Sequence, residues 1–271
     1  MSPMMTPNRE CPKATDTADA VRGWLSAADG IALRVRRREG TMPAVVSPLG
    51  WWLADVLEHI APARAIVTYD ARGRGESGPL ADEAAVGLDA DVSDLDCVCR
   101  WINAPIVGVG WGYYAAVLAA FAARWPERVE RLVLISPLPV MRDPAMAIAA
   151  AWLEFETRRA TPTSAVFQCT HAGPFPDRSG LESESPAELL ALLDRLYHAL
   201  GEWDWRSVAA RLTMPTLIIH GDRDVIEVEQ ARQWATLATD AKLFVLGGTT
   251  RYPWLEARGH FTAALTHFLA P

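Results

Sequence analysis

The chain of 271 residues is half hydrophobic, 22% charged and carries a net charge of −7. That length suits one sizeable domain with an inserted subdomain, and the composition excludes a disordered chain. The acidic balance argues against a nucleic-acid surface, and no apolar stretch approaches the ~20 residues that a membrane span requires.

Residues 1–18, MSPMMTPNRECPKATDTA, lack the apolar centre of a secretion signal and read as a flexible tail. GWLSAADGIALRVRRR predicts two short strands joined at Asp29–Gly30, with Arg36, Arg37 and Arg38 as a solvated strand end. PAVVSP is a buried strand, Trp52 to Ile60 a helix, AIVTYD a strand and ARGRGESGPL a glycine-rich loop. Asp89 to Trp101 predicts a helix with Val92, Leu95 and Val98 on one side. PIVGVG is a strand, Trp111 to Arg124 a helix and RLVLISP a strand. The alternation then breaks off. Two helical segments, AMAIAAAWLEFETRR and PAELLALLDRLYHAL, flank a long loop and predict a helical cap over 141–209. Such an insertion belongs over the carboxyl edge of the sheet, where ligands bind in open α/β sheets. PTLIIHGD and AKLFVLGG are strands separated by a helix from Val228 to Leu237, and a helix from about Glu256 to Leu269 closes the chain.

Apolar strands alternating with helices imply an α/β fold, a mostly parallel, doubly wound sheet covered on both faces. Its core takes 19–140 and 210–271. The four cysteines make no disulfide framework and show no zinc spacing. Free thiols in a reducing cytoplasm are expected, with no metal and no cofactor.

The glycine triplet Gly108, Gly110 and Gly112 follows an apolar strand and precedes an alanine-rich helix. A dinucleotide site would need G-x-G-x-x-G in the first strand–helix unit. Here the third glycine comes one residue early, Tyr113 takes its place, and earlier strands precede the unit. A nucleophile elbow needs G-x-S-x-G on a strained turn. Gly108-Val109-Gly110-Trp111-Gly112 fits every position but the serine.

Four segments carry a resemblance to the α/β-hydrolase superfamily, most of all to its prolyl-aminopeptidase-type branch with a cap. They are YDARGRGES, GVGWGYYAAVLAAFAARWPERVERLVLISP, MPTLIIHGDRDVI and GGTTRYPWLEARGHFTAALTHFL. The resemblance covers about residues 30–140 and 205–271. It implies the α/β-hydrolase fold and places the triad acid on Asp224. It puts the nucleophile on Gly110 and the histidine, two residues before the proline of PWLE, on Arg251. His260 of the nearby Gly259-His260 pair falls inside the last helix and reads as a surface or packing residue. Ser47-Pro48 replaces the family's usual His-Gly start of the oxyanion loop.

Serine hydrolysis needs a hydroxyl, a base to take its proton and an acid to orient that base. Glycine has no hydroxyl, and arginine does not deprotonate near neutral pH. The ordinary hydrolase mechanism is excluded by chemistry. The backbone N–H groups of Trp111 and Leu49 are the expected oxyanion donors. Asp224 is either a general base or a structural partner of Arg251. Arg251 either binds a carboxylate or enolate through its planar fork or is itself structural. Gly110 relaxes the turn, and Tyr113 adjoins it. Trp51, Trp52 and Trp152 are expected as apolar walls, with His171 overhanging from the cap. Asp70 and Arg72 are expected to tie loops, and His220 to be a packed, hydrogen-bonded residue.

Two function classes stay open. One is a cofactor-free lyase or cyclase acting on an apolar, polyketide-like metabolite of bacterial-type secondary metabolism. The other is a catalytically inactive relative that binds a small ligand or a partner. In either case the expected partner is a small molecule, with no nucleic acid and no membrane, and the chain is a monomer or homodimer.

Overall fold

The computed structural model describes residues 22–48, 53–77, 80–81, 84–138, 140 and 186–270. The strands are β1 Arg22–Ser26, β2 Ala32–Arg38, β3 Thr41–Pro48, β4 Arg64–Tyr69, β5 Ile106–Trp111, β6 Val129–Ile135, β7 Thr216–Gly221 and β8 Ala241–Leu246. The helices are α1 Ala54–Ile60, α2 Leu88–Ile102, α3 Tyr113–Arg124, α4 Pro186–Leu200, α5 Arg206–Ala209, α6 Val228–Leu237, α7 Pro253–Glu256 and α8 Arg258–Leu269. The strands form one sheet in the order β1-β2-β4-β3-β5-β6-β7-β8. β2 runs antiparallel to both of its neighbours, and the pairs from β4 through β8 are all parallel. This is the expected doubly wound sheet.

Side chains of successive strand residues point to opposite faces, so each central strand feeds two cores. Leu132 and Leu134 of β6 pack in a cluster with residues of α2, α3 and α6. Val133 and Ile135 of the same strand pack in a second cluster with Leu57 of α1 and Phe261 and Leu265 of α8. Much of the tryptophan serves this packing. Trp205 and Trp234 stack with ring centroids 4.5 Å apart, and Trp254 is fully buried.

Three local expectations differ from the structure. The closing helix is broken at Ala257 into α7 and α8, and His260 is exposed on α8. Cys99 is a buried free thiol, but Cys97 is disulfide-bonded, so the expectation of four free thiols fails there. The sheet strand carrying the glycine triplet runs through Trp111 rather than stopping at Gly110. Residues 1–18 and most of the expected cap, 141–185, lie outside the described residues, while the predicted helix PAELLALLDRLYHAL is α4.

The loop after β4 is a structural tie, as expected. Asp70 pairs with Arg36 at 2.7 Å and accepts the N–H of Glu76 at 2.9 Å. Arg72 donates from Nε to Asp94 at 2.7 Å and from Nη2 to the other carboxylate oxygen at 2.5 Å, and it also reaches Asp29 at 2.8 Å. The Asp94 side chain has no exposed surface. Removing one partner of a buried pair strands the other, at a cost of about 3–5 kcal/mol. Arg72→Met should therefore lower the melting temperature by on the order of 10 °C, given roughly 2–4 °C per kcal/mol at this size. Thermal unfolding followed by circular dichroism measures it, and an unchanged transition would contradict the role.

Candidate functional site

Strands β5, β7 and β8 end along the same carboxyl edge, and the segments that follow them bring three residues together. After β5 the chain turns at Gly112, whose φ is 56° and ψ −120°, and enters α3 at once. That left-handed φ is one a side chain adopts only under strain. The expected turn residue, Gly110, is instead inside β5, opposite Leu134 of β6. A Cβ at Gly110 would lie 2.6 Å from Leu118 Cδ1, 2.7 Å from the Tyr114 carbonyl oxygen and 2.9 Å from the Ala115 nitrogen. Gly110 therefore lets α3 approach β5 closely, and the turn expected there falls at Gly112. Among the described residues, a Cβ there would meet only Arg251, at 3.3 Å from Nη2.

The expected backbone donor moves with the turn. Trp111 belongs to the ladder opposite Ile135, and the N–H of Gly112 bonds the Ile135 carbonyl at 3.0 Å. The N–H that opens α3 is that of Tyr113, and the first N–H groups of a helix have no acceptor within it. The Tyr113 side chain, expected to line the pocket, turns the other way. It is buried, and its hydroxyl donates to Asp91 of α2 at 2.7 Å. Burial, and then the facing Asp91 carboxylate, push its phenol well above its usual pKa, so it is no proton donor for the site.

Arg251 is held by its main chain. The loop after β8 lies across the end of β7, so closely that a Cβ at Gly221 would sit 2.2 Å from the Thr250 carbonyl oxygen. The Arg223 N–H bonds the Thr249 carbonyl at 2.9 Å, and Thr250 bonds Glu256 of α7 through its N–H and its hydroxyl. The Trp111 indole N–H donates to the Arg251 carbonyl at 3.0 Å, and the guanidinium lies over the same indole, 5.7 Å from its centroid. This cation–π contact orients the planar fork. Trp111 also packs against Tyr252 and Trp254, with centroids 5.2 and 5.6 Å away.

Asp224 follows β7 in a tight turn, its Oδ1 accepting the Ile226 N–H at 3.0 Å. Its side chain has no exposed surface, whereas that of Arg251 is 17% exposed, and Arg251 Nε stands 3.9 Å from Asp224 Oδ1. The two expected catalytic residues are thus brought together as an ion pair across a gap, with Arg251 toward the solvent. His220, read as packed and hydrogen-bonded, is fully buried with Nε2 2.8 Å from the Ile226 carbonyl oxygen. Leu49, Trp51, Trp52, Trp152 and His171 lie outside the described residues. Among those described, no group of three or more His, Cys, Asp or Glu could hold a metal ion, and no helix is long and apolar enough to cross a membrane.

A model of the alpha/beta hydrolase family matches residues 40–265, and the chain belongs to that family. A pimeloyl-[acyl-carrier protein] methyl ester esterase of Chromobacterium violaceum is 29% identical over 250 residues, 85% of this chain and 95% of that protein. A 2-hydroxymuconate semialdehyde hydrolase of Pseudomonas sp. strain CF600 is 26% identical over 246 residues, 85% of this chain and 84% of that protein. Among solved structures, an enol-lactonase from Burkholderia xenovorans LB400 superposes with a TM-score of 0.70 at 19% identity, covering 91% of this chain and 99% of that one. The proline iminopeptidase of Mycobacterium smegmatis superposes at 0.63 and 19% identity, covering 92% and 97%.

Proposed function

We propose that this chain is a non-hydrolytic member of its family, which holds the carboxylate or enolate of a small acidic metabolite where its relatives perform hydrolysis. One observation carries the reading. Arg251 Nη2 lies 3.3 Å from where the first side-chain atom of residue 112 would stand, so a permanent cation takes the place of nucleophile and base. Without a hydroxyl or an acceptor for its proton, the acyl-enzyme route has no first step. A guanidinium beside Gly112, at the turn into α3, suits an oxygen that carries or develops negative charge. Such a pocket supports elimination or cyclisation, and the name of the 26%-identical semialdehyde hydrolase describes an acidic substrate. The ligand is accordingly read as an apolar metabolite with one acidic end, which joins the apolar walls expected from sequence to a carboxylate or enolate at Arg251.

The alternative, binding without turnover, is favoured by the burial of the Asp224 side chain, which has no exposed surface behind Arg251. Turnover of a bound carboxylate by the wild type separates the two, and Asp224→Asn then tests the base. If Asp224 is the base of a lyase or cyclase, the variant binds its substrate normally and turns it over about 10²–10⁴-fold more slowly. Full turnover would leave Asp224 a structural residue. The non-hydrolytic reading itself is tested with chromogenic short-chain esters and a fluorophosphonate probe. Neither should show turnover or labelling above a heat-inactivated control, and stoichiometric labelling of one residue near Gly112 would sink the proposal.

A further inference from the structure

We infer that Asp224, His220 and Arg251 together hold one buried water molecule, which fixes the direction in which Arg251 presents its guanidinium. The reasoning begins at His220. Its Nε2 lies 2.8 Å from the Ile226 carbonyl oxygen. A carbonyl only accepts, so Nε2 carries the hydrogen, and Nδ1 of the neutral ring carries a lone pair. That Nδ1 faces Asp224 Oδ2 at 3.9 Å, and neither side chain has any exposed surface. Two acceptors therefore point at each other in a buried space, and neither atom has a hydrogen-bond partner among the described residues. Buried polar groups are almost always paired, through water where protein does not reach.

A third orphan completes the set. Arg251 Nε also has no hydrogen-bond partner among the described residues, and it stands 3.9 Å from the other oxygen of the same carboxylate. One water satisfies all three atoms. It donates one hydrogen to Asp224 Oδ2 and the other to His220 Nδ1, and it accepts the Arg251 Nε hydrogen. Three bonds is the usual complement of a buried water. A cationic His220 would serve the geometry less well. Its Nδ1–H would draw the carboxylate to about 2.7–2.9 Å, the range of charge-assisted bonds, rather than stand at 3.9 Å.

The water has a consequence for the ligand, a step that rests on the carboxylate-binding reading above. With Nε engaged inward, the guanidinium leaves Nη2 beside Gly112, where an acidic group would be received. His220 is then a positioning residue: it touches no ligand but helps hold the water that holds Arg251.

A high-resolution crystal structure of the full chain tests the water directly. Density is expected within about 2.6–3.2 Å of Asp224 Oδ2, His220 Nδ1 and Arg251 Nε. Nitrogen-15 NMR should find the His220 hydrogen on Nε2 and none on Nδ1. Direct contact between Nδ1 and Oδ2 with no density between them, or an imidazolium, overturns the inference. The positioning role is tested with benzoate as the probe, by calorimetry. His220→Leu removes the acceptor and should weaken benzoate binding about tenfold or more, the worth of a hydrogen bond to a charged group. His220→Asn keeps an acceptor and should recover most of that loss. Equal binding by the leucine variant overturns the role of His220. A wild type that ignores benzoate counts against the carboxylate reading and the positioning role together, while the water is judged by the density and by where the His220 hydrogen sits.

Discussion

Gly110→Ser should fail to fold stably, whereas Gly112→Ser should fold and still cleave no ester. The two positions differ in what a side chain meets. At 110 the first added atom falls 2.7 Å from the Tyr114 carbonyl oxygen and 2.9 Å from the Ala115 nitrogen, both backbone of α3. Helix and strand would have to part, and overpacking of that kind costs about 3 kcal/mol or more. At 112 the nearest atom among the described residues is the end of a flexible arginine at 3.3 Å, which has only to shift by tenths of an ångström. The remaining cost is the left-handed φ of 56°, about 1–3 kcal/mol for a residue with a side chain. Thermal unfolding by circular dichroism distinguishes the two. The serine at 112 has no base, so it should not cleave esters until Arg251→His is added, with Asp224 behind the new imidazole. Ester cleavage by Gly112→Ser alone would mean that another base already serves the site. Cleavage by Gly110→Ser would refute the assignment of the turn.

Arg251→Met should weaken the binding of an acidic ligand by roughly 2–5 kcal/mol, about 30- to several-thousand-fold, because a desolvated charge pair loses one member. A panel of carboxylates screened by thermal shift would find the ligand, and calorimetry on wild type and variant would measure the difference. Arg251→Lys should recover only part of the affinity, since an ammonium is a point charge where the guanidinium is a planar fork. Removing Arg251 also leaves buried Asp224 without its facing cation, so each variant needs its own unfolding curve. Undiminished carboxylate binding by the methionine variant would make Arg251 structural and return the pocket to an apolar ligand.

The sheet and its helices were legible because burial on two faces writes continuous apolar runs, as in RLVLISP and PTLIIHGD. Helix α6 was predicted with its observed bounds, Val228–Leu237, because its apolar and polar residues alternate at helical spacing. The ties of Asp70 and Arg72 were also expected, whereas their partners, Arg36, Glu76, Asp94 and Asp29, come from elements remote in sequence. The elbow was misplaced by two residues for a specific reason. Gly108-Val109-Gly110-Trp111-Gly112 matches the elbow with glycine at both ends, while the observed register, Gly110-Trp111-Gly112-Tyr113-Tyr114, puts tyrosine at its last position. The one local signal for the second register was the apolar run continuing into Trp111.

Sequence by itself determined the fold class, and residue identity alone says that neither Gly110 nor Gly112 carries a hydroxyl and that Arg251 does not accept a proton near neutral pH. Which glycine makes the turn was decided only in three dimensions. Glycine accommodates both extended and left-handed backbone, so a triplet of them does not choose; the close packing of α3 on β5 does. The same holds for Tyr113, whose side chain goes to Asp91 because the first turn of α3 aims it at α2. It holds for Arg251 and Asp224 too. The parallel pairing of β7 with β8 sets their loops side by side, and the backbone contact of Gly221 with Thr250 presses the guanidinium over Trp111 and in front of the buried carboxylate.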